Sequence, residues 1–343
     1  MSSDRIGVAI AHNDLDELIR ITDDLAQRSE WDDVLSLRDR ARRAFDDTGR
    51  QLWPAASWAE YRVALHGPDD LLDEVLVDGA GVFAPGPLAE VAAQHHRFEH
   101  VAPHLLDGPA TALFAHECAA RGEMIDVAVH SEDLLTVPLL RSSFEPDYLM
   151  ATYTLRGVDV AGPVVGVGQP CDWRRGATIL DDDETVEVNA ALHRVVGAWA
   201  QFSDATVSVV GCEGSALEAI SCLDVDGALR TTPLSPQEAL IWLAWAGASS
   251  GSRGRRRGAA AGRDAAWHAA AAVAGFDPFE PVDVDEFAEA LEDLRWYWWA
   301  TSDVTHENVL RLAVDDRVDG VAFAISAVDP GAFAPDTAGS TGE

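Results

Sequence analysis

The chain has 343 residues, a formal net charge of −33 and 48% hydrophobic residues, so it can bury a core and is not disordered overall. Its acidity argues against general binding to nucleic acid or to an anionic membrane, because both require a basic surface. The sequence contains neither a run of about 18 apolar residues, as a membrane span requires, nor the apolar core of a signal peptide. We therefore expect a cytoplasmic protein.

The first third of the chain has the pattern of successive short helices. Leu15, Leu18 and Leu25 recur at helical spacing, and Gly-Pro pairs such as Gly67-Pro68 and Gly108-Pro109 separate the later segments. The sequence therefore predicts a helical array over residues 1–125, which resembles HEAT-like packing in architecture.

The remainder is predicted to be an α+β domain over residues 126–330. Segments of residues 126–170 suit strands or extended connections, and whether they join the later sheet stays open. DATVSVVGCEGSALEAISCL, which begins at Asp204, predicts a strand followed by a helix. Alternating apolar residues predict the C-terminal strands within 294–329, and a disordered tail is expected over 331–343. The predicted fold class is α+β: a mostly helical N-terminal array, then a domain with a small sheet and a helical hairpin.

The hairpin is predicted over residues 235–275. Ser235, Pro236 and Glu238 form a capping-box pattern that starts its first helix, and Gly247 is expected to end it. An arginine-rich loop follows, and then an alanine-rich second helix ends near Gly275.

The tip of this hairpin is the first candidate site. Its candidate residues are Arg253, Arg255, Arg256, Arg257, Arg263, Trp242, Trp245 and Trp267. Arginines beside a helix N-terminus can bind an anion, and tryptophans can stack on a flat ligand or form an aromatic core. The open alternatives for the anion are a phosphorylated small molecule or nucleotide and a carboxylate of the protein or of a partner. A solvated loop without a ligand is the third alternative, and we expect the carboxylate.

Histidines supply a second candidate site. His96, His100 and His104 recur every four residues, the spacing that places imidazoles on one helix face, and His116 lies downstream. If these residues bind a metal, zinc fits imidazole and carboxylate ligands best, and the protein would be a metal-dependent hydrolase. Histidines on the surface or between helices are the alternative.

Several chemistries lack their residues. All 25 basic residues are arginine, so Schiff-base catalysis and a P-loop lysine are excluded. The four cysteines show no CxxC spacing, and we expect them to be buried apolar side chains. Cys212 follows a predicted strand, but its surroundings match no nucleophile motif.

Two stretches carry a resemblance. TGRQLWPAASWAEYRVAL and GRRRGAAAGR resemble a family of uncharacterised proteins from high-GC, actinobacterial-type bacteria, a family without an assigned function. In the absence of a strong catalytic motif, we expect a non-enzymatic binding or scaffold protein with a protein partner. A binder or processor of a phosphorylated small molecule, and the zinc-dependent hydrolase, remain the alternatives.

Overall fold

The structure is a computed structural model. It describes residues 2–126, 135–166, 168–171, 177–223, 225, 227–277, 280, 282–301 and 308–331. The predicted extended segment at 127–134 and most of the predicted tail, residues 332–343, lie outside the described residues. No α-helix within these ranges is both long enough and apolar enough to cross a membrane.

The chain forms two compact units. The first comprises the described residues of Met1–Leu134, Pro138–Arg141 and Met150–Ala161, and the second comprises those of the remainder. As predicted, helices followed by a region with strands make the fold α+β.

The first unit is mainly helical. Its helices are α1 (Ser2–His12), α2 (Leu15–Gln27), α3 (Trp31–Thr48), α4 (Trp53–His66), α5 (Leu88–Ala92), α6 (Phe98–Val101) and α7 (Pro109–Ala120), with 3-10 turns at Asp69–Glu74 and Ala102–His104. Helix α4 lies in the core, where Tyr61, Val63 and Leu65 are fully buried. Pro54 and Pro109 lie at the starts of α4 and α7, where a missing N–H leaves no hydrogen bond unmade.

A two-stranded hairpin belongs to this first unit, so the predicted boundary at residue 125 lies too early. Strands β1 (Thr152–Thr154) and β2 (Gly157–Asp159) pair with each other in an antiparallel manner. The Tyr153 hydroxyl donates to Glu90 at 2.5 Å, and the Tyr153 N–H donates to the side-chain carbonyl of Gln94 at 2.6 Å. These contacts attach the hairpin to the helical unit, and no local pattern in the sequence signalled them.

The second unit contains an antiparallel six-stranded sheet with the order β3-β5-β6-β7-β8-β4. Its strands are β3 (Gln169–Pro170), β4 (Thr206–Glu213), β5 (Arg230–Leu234), β6 (Leu294–Ala300), β7 (Asn308–Asp316) and β8 (Val321–Asp329). Its helices are α8 (Asp182–Phe202), α9 (Ala216–Cys222), α10 (Pro236–Ala248), α11 (Ala259–Val273) and α12 (Val284–Asp293). The predicted strand–helix segment is β4–α9, and the predicted C-terminal strands are β6, β7 and β8.

Alternating side chains along β6 divide between the two faces of the sheet. Trp299 is fully buried on the face that packs against α9, together with Cys212 and Ile220. Trp298 points to the opposite face, where its ring lies 6.4 Å from that of Trp242 in α10. Aromatic side chains of the hairpin and of the sheet are therefore in contact, as the aromatic-core alternative requires.

Helices α10 and α11 form the predicted hairpin in close contact. Ser235 and Glu238 make the capping box at the start of α10. Gly247 does not end that helix, which continues to Ala248. Glycine is needed at position 247 for a different reason, the close packing of α10 against α11. A Cβ at Gly247 would lie 2.8 Å from Ala265 Cβ, and one at Gly262 would lie 2.2 Å from the Ala244 carbonyl oxygen.

Helix α12 was not predicted. Asp283 caps it by accepting from the N–H groups of Asp285 and Glu286. Phe287 of α12 is fully buried and packs against Trp267 of α11, with ring centroids 5.0 Å apart. The acidic composition of the segment concealed this short amphipathic pattern.

Candidate functional site

The arginine-rich loop between α10 and α11 presents its side chains in different environments. Arg253 is exposed and pairs with exposed Asp204 at 2.7 Å, a contact of small energetic value in solvent. Arg255 is also exposed, whereas Arg256 is buried and Arg257 is partly buried. The predicted arginines of the loop therefore differ in exposure.

Asp329 fixes the base of the loop. Its carboxylate accepts from the Ser252 N–H at 2.5 Å, the Ser252 hydroxyl at 3.0 Å and the Ser203 hydroxyl at 2.9 Å. Burial would raise the pKa of Asp329, but these donors and the N–H of Gly331 hold it below its ordinary value of 3.8. The end of β8 thus positions the loop through a fully hydrogen-bonded carboxylate.

Arg263, in the first turns of α11, binds a carboxylate of the protein. Its guanidinium contacts both oxygens of Glu145, at 2.6 and 2.7 Å, and the two side chains are 1% and 0% exposed. Glu145 also accepts from the Ser142 N–H and the Tyr148 hydroxyl, each at 2.8 Å. Burial opposes ionisation of Glu145, but Arg263 and Ser142 together lower its pKa. The pair of Arg263 and Glu145 therefore joins residues 142–148 to α11.

A polar cluster surrounds Asp264 on the next position of α11. Arg194 of α8 donates to one oxygen of this buried carboxylate at 2.9 Å, and the N–H of Thr136 donates to the other at 3.2 Å. His268 lies one turn along α11, with its Nε2 2.6 Å from the Thr136 hydroxyl. Burial and the charge of Arg194 lower the pKa of His268, whereas Asp264 opposes this shift. The Asp264 carboxylate thus connects α11 with Arg194 of α8 and with Thr136.

Arg257 lies near this cluster with an incomplete set of partners. Its guanidinium donates to the Gly247 carbonyl at 3.2 Å, the one acceptor it reaches among the described residues. Burial lowers its pKa, and the like charge of Arg194 lowers it further, whereas Asp264 raises it. A buried cation beside a second cation favours an anion in this place.

The predicted tryptophans lie in aromatic packing. Trp245 makes edge-to-face contacts with Trp242 and Trp199, with ring centroids 5.9 and 5.8 Å apart. Trp267 packs against Phe144 and against Phe287 of α12. Trp242 and Trp267 are buried, and the protein's own rings pack on them, so the core alternative describes these residues better than a ligand platform.

The histidines predicted as zinc ligands do not share a helix. His96 follows the end of α5, His100 lies in α6 and His104 lies in a 3-10 turn, because the helix breaks between them. His96 instead binds Asp69, with its Nδ1 2.6 Å from Oδ1, and His116 is buried in α7. Across the described ranges, no three His, Cys, Asp or Glu side chains are placed to hold a metal ion.

Cys212 is also unsuited to nucleophilic chemistry. It is fully buried in β4, and burial raises its pKa to about 12, so the thiol stays protonated. Cys171 and Cys222 are partly buried nearby, and all four cysteines are free thiols.

The sequence matches one family model over residues 16–314, described as a family of unknown function (DUF6183). The chain belongs to this family. No curated protein and no solved structure matches it. The match includes both of the stretches that resembled an uncharacterised family, but it assigns no activity.

A further candidate site, which was not predicted from the sequence, lies at the edge strand β4. The partner of β4 on one side is β8, in an unbroken one-to-one register from Thr206↔Val328 to Glu213↔Val321. On the outer side, Leu180 N–H donates to the Gly211 carbonyl and Glu213 N–H donates to the Thr178 carbonyl. Backbone groups alternate between the two sides of a strand, so those of Val207 and Val209 also point outward.

Within the described part of the chain, the outward N–H and C=O groups of Val207 and Val209 have no hydrogen-bond partner. We call the outer side of Thr206–Val210 the open edge. Thr206 and Ser208 are exposed along it, and residues 205–212 carry no charge. This uncharged run in an acidic chain was the available signal, but the sequence does not reveal that β4 lies at an edge.

Proposed function

We propose that the protein is a non-enzymatic binding or scaffold protein that joins another polypeptide through the open edge. An extended chain would add to the sheet as a further strand, with main-chain hydrogen bonds to Val207 and Val209. The observation that carries this proposal is the set of outward N–H and C=O groups on Thr206–Val210, the uncharged stretch of the edge strand β4.

The design of β4 supports this role. Proteins that must avoid strand addition protect an edge strand with lysine, proline, a bulge or short length. Strand β4 has eight residues, and Thr206–Val210 contains neither charge nor proline. Its register with β8 contains no bulge. An unprotected edge of this kind is suited to a partner strand.

The structural contacts of the other candidate residues also support a binding function. Arg263 is bound to Glu145, the histidines are dispersed, and Cys212 is a buried thiol. These side chains have structural contacts in the described residues. The edge requires only backbone groups, and they are present.

Val209→Pro tests the proposal. Proline removes an N–H that points away from β8, so the sheet keeps its ladder, whereas Val209→Ala trims the side chain and keeps the N–H. The three forms serve as baits in the native cell extract. Proteins retained by wild type and Val209→Ala but lost with Val209→Pro support strand addition, and untagged copies of this chain count among them. An identical set of retained proteins for all three baits would refute it.

A second candidate function is binding of a phosphorylated small molecule beside Arg257. The partly buried guanidinium, next to the like charge of Arg194, is the observation that favours it. Inorganic phosphate should raise the thermal midpoint of wild type and of Arg253→Ala, in which an exposed arginine is lost. It should leave that of Arg257→Ala unchanged, and an equal effect on all three proteins would contradict this site.

A further inference from the structure

We propose that the open edge pairs with the open edge of a second copy of this chain, forming a two-fold symmetric dimer with a continuous sheet. This inference rests on the proposed function, since it names the polypeptide that adds to β4. A two-fold interface uses the same surface of both copies, so the surface must be complementary to itself. The open edge has this property.

The available backbone groups define the register. With Ser208 opposite Ser208 of the second copy in an antiparallel pairing, Val207 faces Val209 of that copy, and Val209 faces Val207. Each such pair exchanges two hydrogen bonds, so both pairs satisfy all the outward groups of the open edge. Ser208 then forms the non-hydrogen-bonded pair on the axis, with its N–H and C=O directed to β8.

The ends of the open edge limit the pairing to five residues. Beyond Val210, residues 178–180 already occupy the outer side of β4 through their bonds to Gly211 and Glu213. In this register, Asp204 of the second copy lies opposite Cys212, the residue that Ile179 faces, so the pairing stops before that point in both copies. The Asp204 carboxylate already has a cationic partner in Arg253, at 2.7 Å.

Charge restricts the surfaces at which two copies can meet. Each carries a formal net charge of −33, so most approaches bring like charges together. The run from Ala205 to Cys212 lacks charge and lies on an edge. Other uncharged runs, at residues 79–89 and 160–171, lie outside β4, and those in α10 and α11 are largely buried.

Ser208→Cys tests the register by oxidative cross-linking. A non-hydrogen-bonded pair on the axis has Cα atoms about 4.5 Å apart, within the range of disulfide geometry. Thr206→Cys is the matched control, because its two copies would lie about 14 Å apart along the strands at about 3.4 Å per residue. We expect a covalent dimer from Ser208→Cys and none from Thr206→Cys or wild type. Equal cross-linking of both variants, or none, would overturn the register.

Sedimentation equilibrium of wild type, Val209→Ala and Val209→Pro tests the association itself. We expect concentration-dependent dimers for the first two and a folded monomer for Val209→Pro, with its fold checked by circular dichroism. A wild-type monomer at every concentration, or a dimer that Val209→Pro leaves intact, refutes the inference. Wild type can be a monomer while the wild-type bait retains another protein that the Val209→Pro bait does not. In that case, the proposed function stands without the dimer. If no polypeptide depends on the edge, both fail.

Discussion

Replacing Arg263 by methionine should destabilise the second unit strongly. The change removes a guanidinium that contacts both oxygens of Glu145 at 2.6 and 2.7 Å and leaves a carboxylate that is 0% exposed. Breaking a buried pair from one side costs about 3–5 kcal/mol. Ser142 and Tyr148 still donate to Glu145, so we expect a loss at the lower end, about 3 kcal/mol.

Urea unfolding followed by tryptophan fluorescence measures this loss, since unfolding free energies fall linearly with denaturant. The thermal midpoint should fall by roughly 6–12 °C for a unit of this size. The double variant Arg263→Met with Glu145→Gln is the control, because it removes both charges and retains an acceptor for Ser142. It should recover at least half of the lost stability.

The pH dependence supplies an independent check. Arg263 and Ser142 hold the folded-state pKa of Glu145 below 4.5. This residue therefore adds stability above pH 4.5 that disappears as the pH falls through the folded value. Without Arg263, burial favours the protonated form, so the deficit of Arg263→Met should shrink on acidification. A deficit below about 1 kcal/mol at neutral pH, or simple additivity in the double variant, would refute a buried charge pair.

Three further outcomes are expected. Gly262→Ala should lower the unfolding free energy by about 1–3 kcal/mol through overpacking, whereas Gly197→Ala, with open space around the added methyl group, should raise it by about 0.5–1 kcal/mol in urea titrations. Asp329→Ala should release the arginine-rich loop, so that trypsin cleaves after Arg253 and Arg255 faster than in wild type; unchanged cleavage rates would show that Asp329 does not fix the loop. Raising salt from about 0.05 M to about 0.5 M should strengthen the proposed dimer, because screening reduces repulsion between acidic copies; weaker association at high salt would contradict pairing at an uncharged surface.

The sequence predicted the elements whose signals are local. The capping box of Ser235 and Glu238 located the start of α10 to the residue, and alternating apolar residues identified β7 and β8. Gly247 was misread because a helix-ending glycine and a glycine required for close packing look alike in one sequence. The reason lies in the next helix, at Ala265 and Gly262 of α11, and depends on the tertiary contact.

Non-local partners account for the other differences. The spacing of His96, His100 and His104 fits one helix, but Pro103 and the turn before α6 divide them between separate segments. The link between Tyr153 and Glu90 spans 63 residues and assigns the β1–β2 hairpin to the first unit. Strand order is the third non-local property. The sequence predicts β4 as a strand before α9, but it does not show that β4 lies at the edge of the sheet.

The distribution of arginine connects the acidic composition with the open edge. A guanidinium bonds both oxygens of a carboxylate, so arginine suits pairs in partly buried positions. Arg263 binds both oxygens of Glu145 and Arg194 binds one oxygen of Asp264, and each pair links separate segments of the second unit. The net charge of −33 includes these cations, so two copies still repel each other. Association at Thr206–Val210 requires no cation, because main-chain hydrogen bonds form without regard to net charge. A strongly acidic chain can therefore remain soluble through its charged surface and still associate at this uncharged strand.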